Sequence, residues 1–391
     1  MISSRCKILL SQTLKNPSIY HHLPNPHLSF SYAFSSRTLK PPENTNAISD
    51  YFVQKHQFSN EVATKAASLL TQLKTPETCE TMITFFEGIG FSKSDLQTIV
   101  SSRKGPNILC ARVDKTIKPK IKIFQDLGFS DTDIVCIITA NPWLLMHSAN
   151  NRIFPSLSVL KNVLGSVDLV ARLLKVSAWF FQYDLEKTLI PNIEFLNSCG
   201  ISLEQLTRHI FNFPRFFLLR PESVKKYVQR VDEMRFPRKS KLYIYAITCL
   251  ASMSVVTWER KLEVIRSLGI THDQIFVMFQ RKPHALAGSQ GKITGVVQVI
   301  RGSRLYDLAD IVQHPGVLTA SIEKRLKPRL EVIEILESRN LIQRRPGFSA
   351  VHLITDKVFI GRFVTPYQDQ LGDTYFLSKA FLNKGRSGRR V

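Results

Sequence analysis

The chain has 391 residues and a mass of 44.6 kDa, room for two or three ordinary domains or for one long array of repeats. Its 44% hydrophobic content is enough to bury a core and excludes a wholly disordered chain. Its 53 Lys and Arg against 31 Asp and Glu give a formal charge of +22. That imbalance points to a polyanionic partner, with nucleic acid ahead of anionic membrane.

The first 42 residues contain Arg5, Lys7, Lys15, Arg37 and Lys40, and Glu43 is the first acid. They are rich in serine and lack the apolar stretch of roughly 7–15 residues and the small-residue cleavage site of a secretory signal. A basic, Ser-rich, acid-free leader has the composition of an organelle import sequence, so residues 1–42 are assigned to a transit peptide. Mitochondrial import is the first reading, because the basic residues start at Arg5 amid Ile8, Leu9 and Leu10. A chloroplast leader is the alternative, and a merely disordered basic terminus the third. Without the leader, 48 basic and 31 acidic residues still leave +17.

Residues 46–85, with an apolar pattern from Ile48 to Leu73, form a degenerate opening unit that caps a longer array. Beyond it a period emerges. Gly90, Gly128, Gly165, Gly200 and Gly269 are separated by 38, 37, 35 and 69 residues, the last interval being two periods. Four of these glycines open one phrase: Gly90-Phe91-Ser92-Lys93-Ser94-Asp95, Gly128-Phe129-Ser130-Asp131-Thr132-Asp133, Gly200-Ile201-Ser202-Leu203-Glu204-Gln205 and Gly269-Ile270-Thr271-His272-Asp273-Gln274. Glycine closes a helix in the left-handed conformation, and Ser or Thr caps the next one. The Asp or Gln three residues on completes a capping box. Leu96, Ile134, Leu206 and Ile275 supply the apolar partner of the staple.

A second punctuation comes after each glycine: Gly105-Pro106-Asn107-Ile108-Leu109, Asn141-Pro142-Trp143-Leu144-Leu145, Phe213-Pro214-Arg215-Phe216-Phe217 and Lys282-Pro283-His284-Ala285-Leu286. His314-Pro315-Gly316-Val317-Leu318 belongs to a repeat whose glycine anchor has slipped to about Gly302, and Ser177-Ala178-Trp179-Phe180-Phe181 keeps the place without the proline. A third mark, Lys118-Pro119, Phe154-Pro155, Ile190-Pro191 and Lys327-Pro328, precedes a second amphipathic helix. Each repeat thus reads as helix, proline-broken turn, helix. The predicted fold is all-α, an α-solenoid superhelix of about seven repeats of roughly 36 residues. Residues 43–345 form the array, with no Pro/Gly/Ser-rich linker in residues 85–340. Residues 346–391 break the period and end in the basic tail Lys384-Gly385-Arg386-Ser387-Gly388-Arg389-Arg390.

The Gly-[Phe/Ile]-[Ser/Thr]-x-x-[Asp/Gln] phrase followed by x-Pro-x-[Leu/Phe]-[Leu/Phe] resembles the repeat of the mitochondrial transcription termination factor (mTERF) family, in particular its expanded plant branch. The likeness covers most of the chain after the leader, including Phe359-Ile360-Gly361-Arg362-Phe363-Val364-Thr365-Pro366-Tyr367. It implies two α-helices and a 3₁₀-helix per repeat, a basic groove for double-stranded DNA, and organelle targeting. It also implies a role in transcription termination or initiation, or in RNA processing or splicing. The units from residue 165 and from residues 236–269 depart from the phrase.

Catalytic motifs are weak. In Gly288-Ser289-Gln290-Gly291-Lys292-Ile293-Thr294 the Walker spacing fails, since Leu286 stands where the first glycine belongs and Ile293 where a Mg²⁺-binding hydroxyl belongs. Asp131 and Asp133 read as helix-start residues rather than a metal dyad. His209 and His284 read as packed or surface residues, and no ligand spacing occurs among the ten histidines. The six cysteines form no CxxC or Cys–His cluster and are expected to be small buried apolar residues. The reading is therefore of a non-enzymatic protein without a cofactor or a bound metal, acting as a monomer and off the membrane. Neither Ile134–Ile138 nor Ala246–Trp258 is a membrane span.

Trp143, Trp179, Phe180, Phe181, Phe216 and Phe217 flank the proline punctuation, and their recurrence predicts inter-repeat core. The cations are the binding candidates. Lys115, Lys118, Lys120 and Lys122 crowd one second helix, and Arg215, Arg220, Lys225, Lys226 and Arg230 crowd another. Arg260, Lys261 and Arg266 come next, then Lys324, Arg325, Lys327 and Arg329. Such recurrence predicts a stripe that follows a phosphate backbone. Organellar duplex DNA is the first ligand reading and RNA, in intron splicing or ribosome assembly, the second. A protein-interaction scaffold is the alternative from another class.

Overall fold

A computed structural model describes residues 45–70, 79–102 and 106–371, and every regular element among them is helical. The transit-peptide assignment, the basic tail and Leu73 lie outside the described residues. The chain is a helical-repeat solenoid whose repeats fall into two compact units, one ending at Pro221 and the other starting at Glu222, within the helix Pro221–Glu233.

The first unit opens with the helices Thr45–Gln54 and Asn60–Leu69, followed by Glu80–Gly88. Its repeats then pair Lys93–Ser101 with Lys118–Asp126, Asp131–Ala140 with Phe154–Leu164, and Val167–Val176 with Leu189–Ser198. A last first helix, Leu203–Asn212, closes the unit. In the second unit Tyr243–Ala251 pairs with Val255–Ser267, His272–Arg281 with Gln290–Gly302, and Leu308–Gln313 with Lys327–Ser338. Asp356–Phe363 and short turns end the described chain.

The helix-stop and helix-start phrase folds as its residues dictate. Ser92, Ser130, Ser202 and Thr271 each accept a hydrogen bond from the backbone N–H three residues on, and three of the four form complete capping boxes. At Ser130 the Asp133 carboxylate divides its oxygens, one accepting from the Ser130 hydroxyl at 2.7 Å and the other pairing with Lys175 at 2.7 Å. Phe91, Phe129 and Ile201 donate their backbone N–H to the carbonyl five residues back, at 3.0, 3.1 and 3.3 Å, the longer bond of a Schellman closure. The unit from residue 165 does carry a cap: Ser166 follows the glycine directly and accepts from Leu169.

Where glycine is missing, the left-handed turn persists on other residues. Gln57, Arg235, Arg304 and Asn340 have φ of 51°, 51°, 54° and 53°. The anchor expected near Gly302 is therefore Arg304, while Gly302 is the last residue of its helix. These substitutes fill the vacant places of the period. At Gly200 (φ 91°) a Cβ would meet nothing within 4 Å, so a side chain there costs backbone strain alone. Gly200→Ala is expected to cost about 1 kcal/mol, a left-handed penalty of roughly 1–2 kcal/mol partly offset in the unfolded chain. Arg304→Gly should act in the opposite sense. Urea midpoints check both: a rise for Gly200→Ala, or a fall for Arg304→Gly, contradicts the account.

The proline marks yield 3₁₀ turns at Pro142–Met146, Pro214–Leu218, Pro283–Ala287 and Pro315–Thr319, and Trp179–Gln182 forms one without proline. The third and fourth residues of these turns are core, among them Leu144, Leu145, Phe216 and Phe217, and so are Phe180 and Phe181. A further feature lies before three second helices. Val113–Ile117, Ala149–Ile153 and Ile322–Leu326 are π-helical turns running straight into helices that carry proline in their first turn. Proline has no N–H to place in the i→i−4 ladder, so the wide turn meets the helix without an orphaned donor.

Buried or half-buried polar side chains tie five of the second helices to the turn of the next repeat. Lys120 Nζ donates to the Leu145 carbonyl at 2.5 Å, and Asn192 Nδ2 to those of Phe217 (3.0 Å) and Leu219 (2.8 Å). In the second unit Lys261 binds the carbonyls of Ala287 and Gly288, Lys292 that of Ala320, and Arg329 those of Ala350 and Val351. The ends of short helices leave carbonyls without intrahelical partners, and these donors supply what is missing. Through Arg329 the segment after residue 346, although it breaks the period, is bound to the last repeat.

Cys79, Cys199 and Cys249 are buried as expected, but Cys110 and Cys136 are exposed. Burial pushes the Cys79 and Cys249 thiols up to about 12. Among the described residues no single helix is long and apolar enough to cross a membrane.

Candidate nucleic-acid interface

The predicted cations separate into three kinds. Lys115 and Lys122 are exposed, as is Lys118, whose exposed ion pair with Asp114 at 3.6 Å is weak. Arg215 and Arg220 belong to the first unit, and both are exposed, one within the turn Pro214–Leu218 and one two residues beyond it. In the second unit Lys225, Lys226, Arg260, Arg266 and Lys324 are exposed. Arg230 lies in the last turn of the helix Pro221–Glu233. Two more are engaged locally: Arg325 donates to the His352 carbonyl at 3.0 Å, and Lys327 pairs with Glu323 at 2.7 Å.

Lys120, Lys261 and Arg329 are corrections. They are 7%, 6% and 0% exposed, and their charged ends are held by backbone carbonyls, so no phosphate reaches them. Burial lowers the pKa of both lysines. Arg329 also pairs with Asp356 at 2.7 Å. The sequence does contain the signal. Each sits three residues after one buried apolar residue and four before another: Ile117 and Phe124, Trp258 and Ile265, Leu326 and Ile333. That spacing is the inner face of a helix. Asn192 repeats it between Leu189 and Leu196.

First helices use their charges on one another or within themselves. Lys175 pairs with Asp133 of the preceding repeat, whose carboxyl is held low by hydrogen bonds from Lys175 and Ser130, while the same contact raises Lys175. Arg208 pairs with Glu204 at 3.3 Å. The predicted cations that face solvent lie on second helices and on the turns before and after them.

Other cations escape a reading based on the repeat. Arg235, Lys239 and Lys241 lie in the acid-free loop before Tyr243–Ala251, while Arg238 there is bound to Asp232. Arg301 and Arg304 line a shallow cleft with Tyr306 and Asp307. The two tryptophans correct the core assignment. Phe180, Phe181, Phe216 and Phe217 are buried, but Trp143 is half-buried and Trp179 is 36% exposed. Trp143 is the second residue of its turn, and a three-residue period sends that position outward when the third and fourth point in. Trp179 holds the equivalent place, directly before the buried pair Phe180 and Phe181.

The remaining chemistry is structural. Among the described residues no group of three or more His, Cys, Asp or Glu is placed to hold a metal. Ser289 caps the helix Gln290–Gly302 and Lys292 binds the Ala320 carbonyl, so the Gly-Lys sequence is occupied in packing. His209 is buried and stacked on Phe213 at 4.6 Å, and His284 lies against Thr248 at 3.1 Å.

No curated protein sequence matches the chain significantly. The mTERF family profile matches residues 37–244 and 241–360, which takes in both units. The family consists of helical-repeat, nucleic-acid-binding proteins and is not known for catalysis. The chain belongs to the mTERF family, whose members are organellar proteins that bind nucleic acid and regulate transcription.

Proposed function

We propose that the protein acts in an organelle, the mitochondrion before the chloroplast, and binds double-stranded DNA there to control termination or initiation of transcription. The observation that carries this reading is the set of exposed cations before and along second helices, Lys115 and Lys122 in one unit and Arg260, Arg266 and Lys324 in the other, with Arg215 on a turn. Cations so placed neutralise phosphates and release counterions, giving affinity with little dependence on sequence. The acid-free leader supports organelle import.

Changing Lys115, Lys122 and Arg266 together to Glu is expected to weaken duplex binding at moderate salt and to flatten the dependence of log K on log salt by roughly one unit per lost contact. Fluorescence anisotropy on a labelled duplex over a salt series measures both. Unchanged affinity and slope would remove these residues from the interface.

A further inference from the structure

Three successive repeats of the first unit place Trp143, Trp179 and Arg215 at equivalent positions of the 3₁₀ turn, each directly before the buried pair. The three side chains form a run of contacts. The two indole rings are 6.5 Å apart and tilted by 54°, and the Arg215 guanidinium lies 4.1 Å from the Trp179 ring centre. Met146 and Tyr183, three and four residues along the chain from Trp143 and Trp179, are 54% and 39% exposed. The large exposed apolar side chains among the described residues of this unit fall between Met146 and Tyr183. Nothing in the packing accounts for the exposure, because the two residues after each of these positions already fill the core.

The surrounding charge identifies the occupant. No Asp or Glu occurs from Ile134 to Val167 or from Gln205 to Pro221, the stretches that hold Trp143 and Arg215, and Arg215 and Arg220 are exposed there; the acid nearest in sequence to Trp179, Asp184, follows Tyr183 and pairs with Lys187 at 3.2 Å. Aromatic faces beside a stacked guanidinium suit a ligand that joins flat π-systems to phosphates. Bases paired inside a duplex show only their edges, so the faces that could stack here belong to unpaired nucleotides. We propose that Trp143, Trp179 and Arg215 form a stacking platform for unpaired nucleobases on a single strand of RNA or DNA. This rests on the nucleic-acid reading above and adds a second substrate form on a surface that shares Arg215 with the duplex cations.

The chain has three tryptophans, and the third, Trp258, is buried in the other unit, so quenching by an added ligand reports mainly on the platform. The full chain is titrated with uridine and thymidine homopolymers of about twelve nucleotides, an abasic strand of equal length, and a duplex. The homopolymers are expected to quench the emission and the abasic strand to leave it unchanged. Preference for the uridine strand identifies RNA, and preference for the thymidine strand a displaced DNA strand; either supports the platform. Trp179→Ala should weaken homopolymer binding by about 5- to 150-fold, the range for one stacked base. Trp179→Phe, which keeps a ring, should retain most of it, and Arg215→Lys should fall between. Equal quenching by the abasic strand overturns the proposal, as does unchanged homopolymer affinity in folded Trp179→Ala. So does a surface that answers no nucleic acid and only a protein. Duplex affinity is measured on Trp179→Ala and Trp179→Phe and should move far less than homopolymer affinity, since Arg215 keeps its charge in both. If duplex binding fails in the wild type while homopolymers still bind, the duplex reading falls alone.

Discussion

Replacing Lys261 with alanine is expected to destabilise the second unit by about 1–3 kcal/mol, the range for leaving buried acceptors without a donor. Its ammonium group donates to the carbonyls of Ala287 at 2.7 Å, Gly288 at 2.5 Å and Leu286 at 3.4 Å, all at the end of the turn Pro283–Ala287. The same turn is held from the other side by Cys249, whose thiol donates to the Pro283 carbonyl at 3.2 Å. Alanine would remove the donors and leave a void along the stem, while the carbonyls stay buried without partners. Lys261→Met restores the stem volume but not the donors, so it should recover only part of the loss. The neighbouring Arg260 is exposed, and Arg260→Ala should change stability by less than about 0.5 kcal/mol. Urea unfolding of the three variants tests the contrast. A Lys261→Ala protein with a wild-type midpoint would show that these hydrogen bonds do not hold the repeats together.

That contrast also shows where the sequence is readable. Caps such as Ser92 and Thr271 depend on partners three residues away, so residue type and spacing disclose them. The left-handed anchors at Arg235 and Arg304 are not disclosed, since nothing in arginine favours φ near 50° and the surrounding fold imposes it. Charge clustering along the chain puts Lys120 and Lys122 in one group. Helical phase separates them by about 200°, one inward and one outward. The phase is legible from Ile117 and Phe124, so charge density misleads only when faces are left unassigned. Trp179 misleads for the same reason, because the turn it occupies has a period of three rather than 3.6. The pairing of Arg215 with Trp179 lies beyond sequence, since it joins residues one repeat apart through the stacking of turns.

Acid is expected to loosen the second unit well before its carboxylates titrate. Burial, with Lys282 adding repulsion, lowers the His284 imidazole from 6.5 to about 4. Burial does the same to His352; the Phe348 carbonyl opposes it, and His314, Arg325 and Arg329 add to it. Both rings are neutral in the folded unit at pH 7, while in the unfolded chain they take up protons near pH 6.5. The unfolded state therefore binds more protons as pH falls, which favours unfolding. The stability these neutral rings contribute is complete above about pH 6.5, declines between there and pH 4, and is lost below. By about pH 5 the two shifts imply a loss of about 2 kcal/mol per ring. A carboxylate of this unit held below its usual value, Asp232 beside Arg238 and Tyr243, acts in a lower window, so the two effects separate. In a Trp143→Phe, Trp179→Phe background Trp258 alone reports unfolding of this unit. Urea midpoints from about pH 7 to about pH 5 should fall steeply in that protein and far less when His284→Asn and His352→Gln are added. An equal fall in both would mean that the acid sensitivity lies in other groups and that these two rings are not held neutral by the fold.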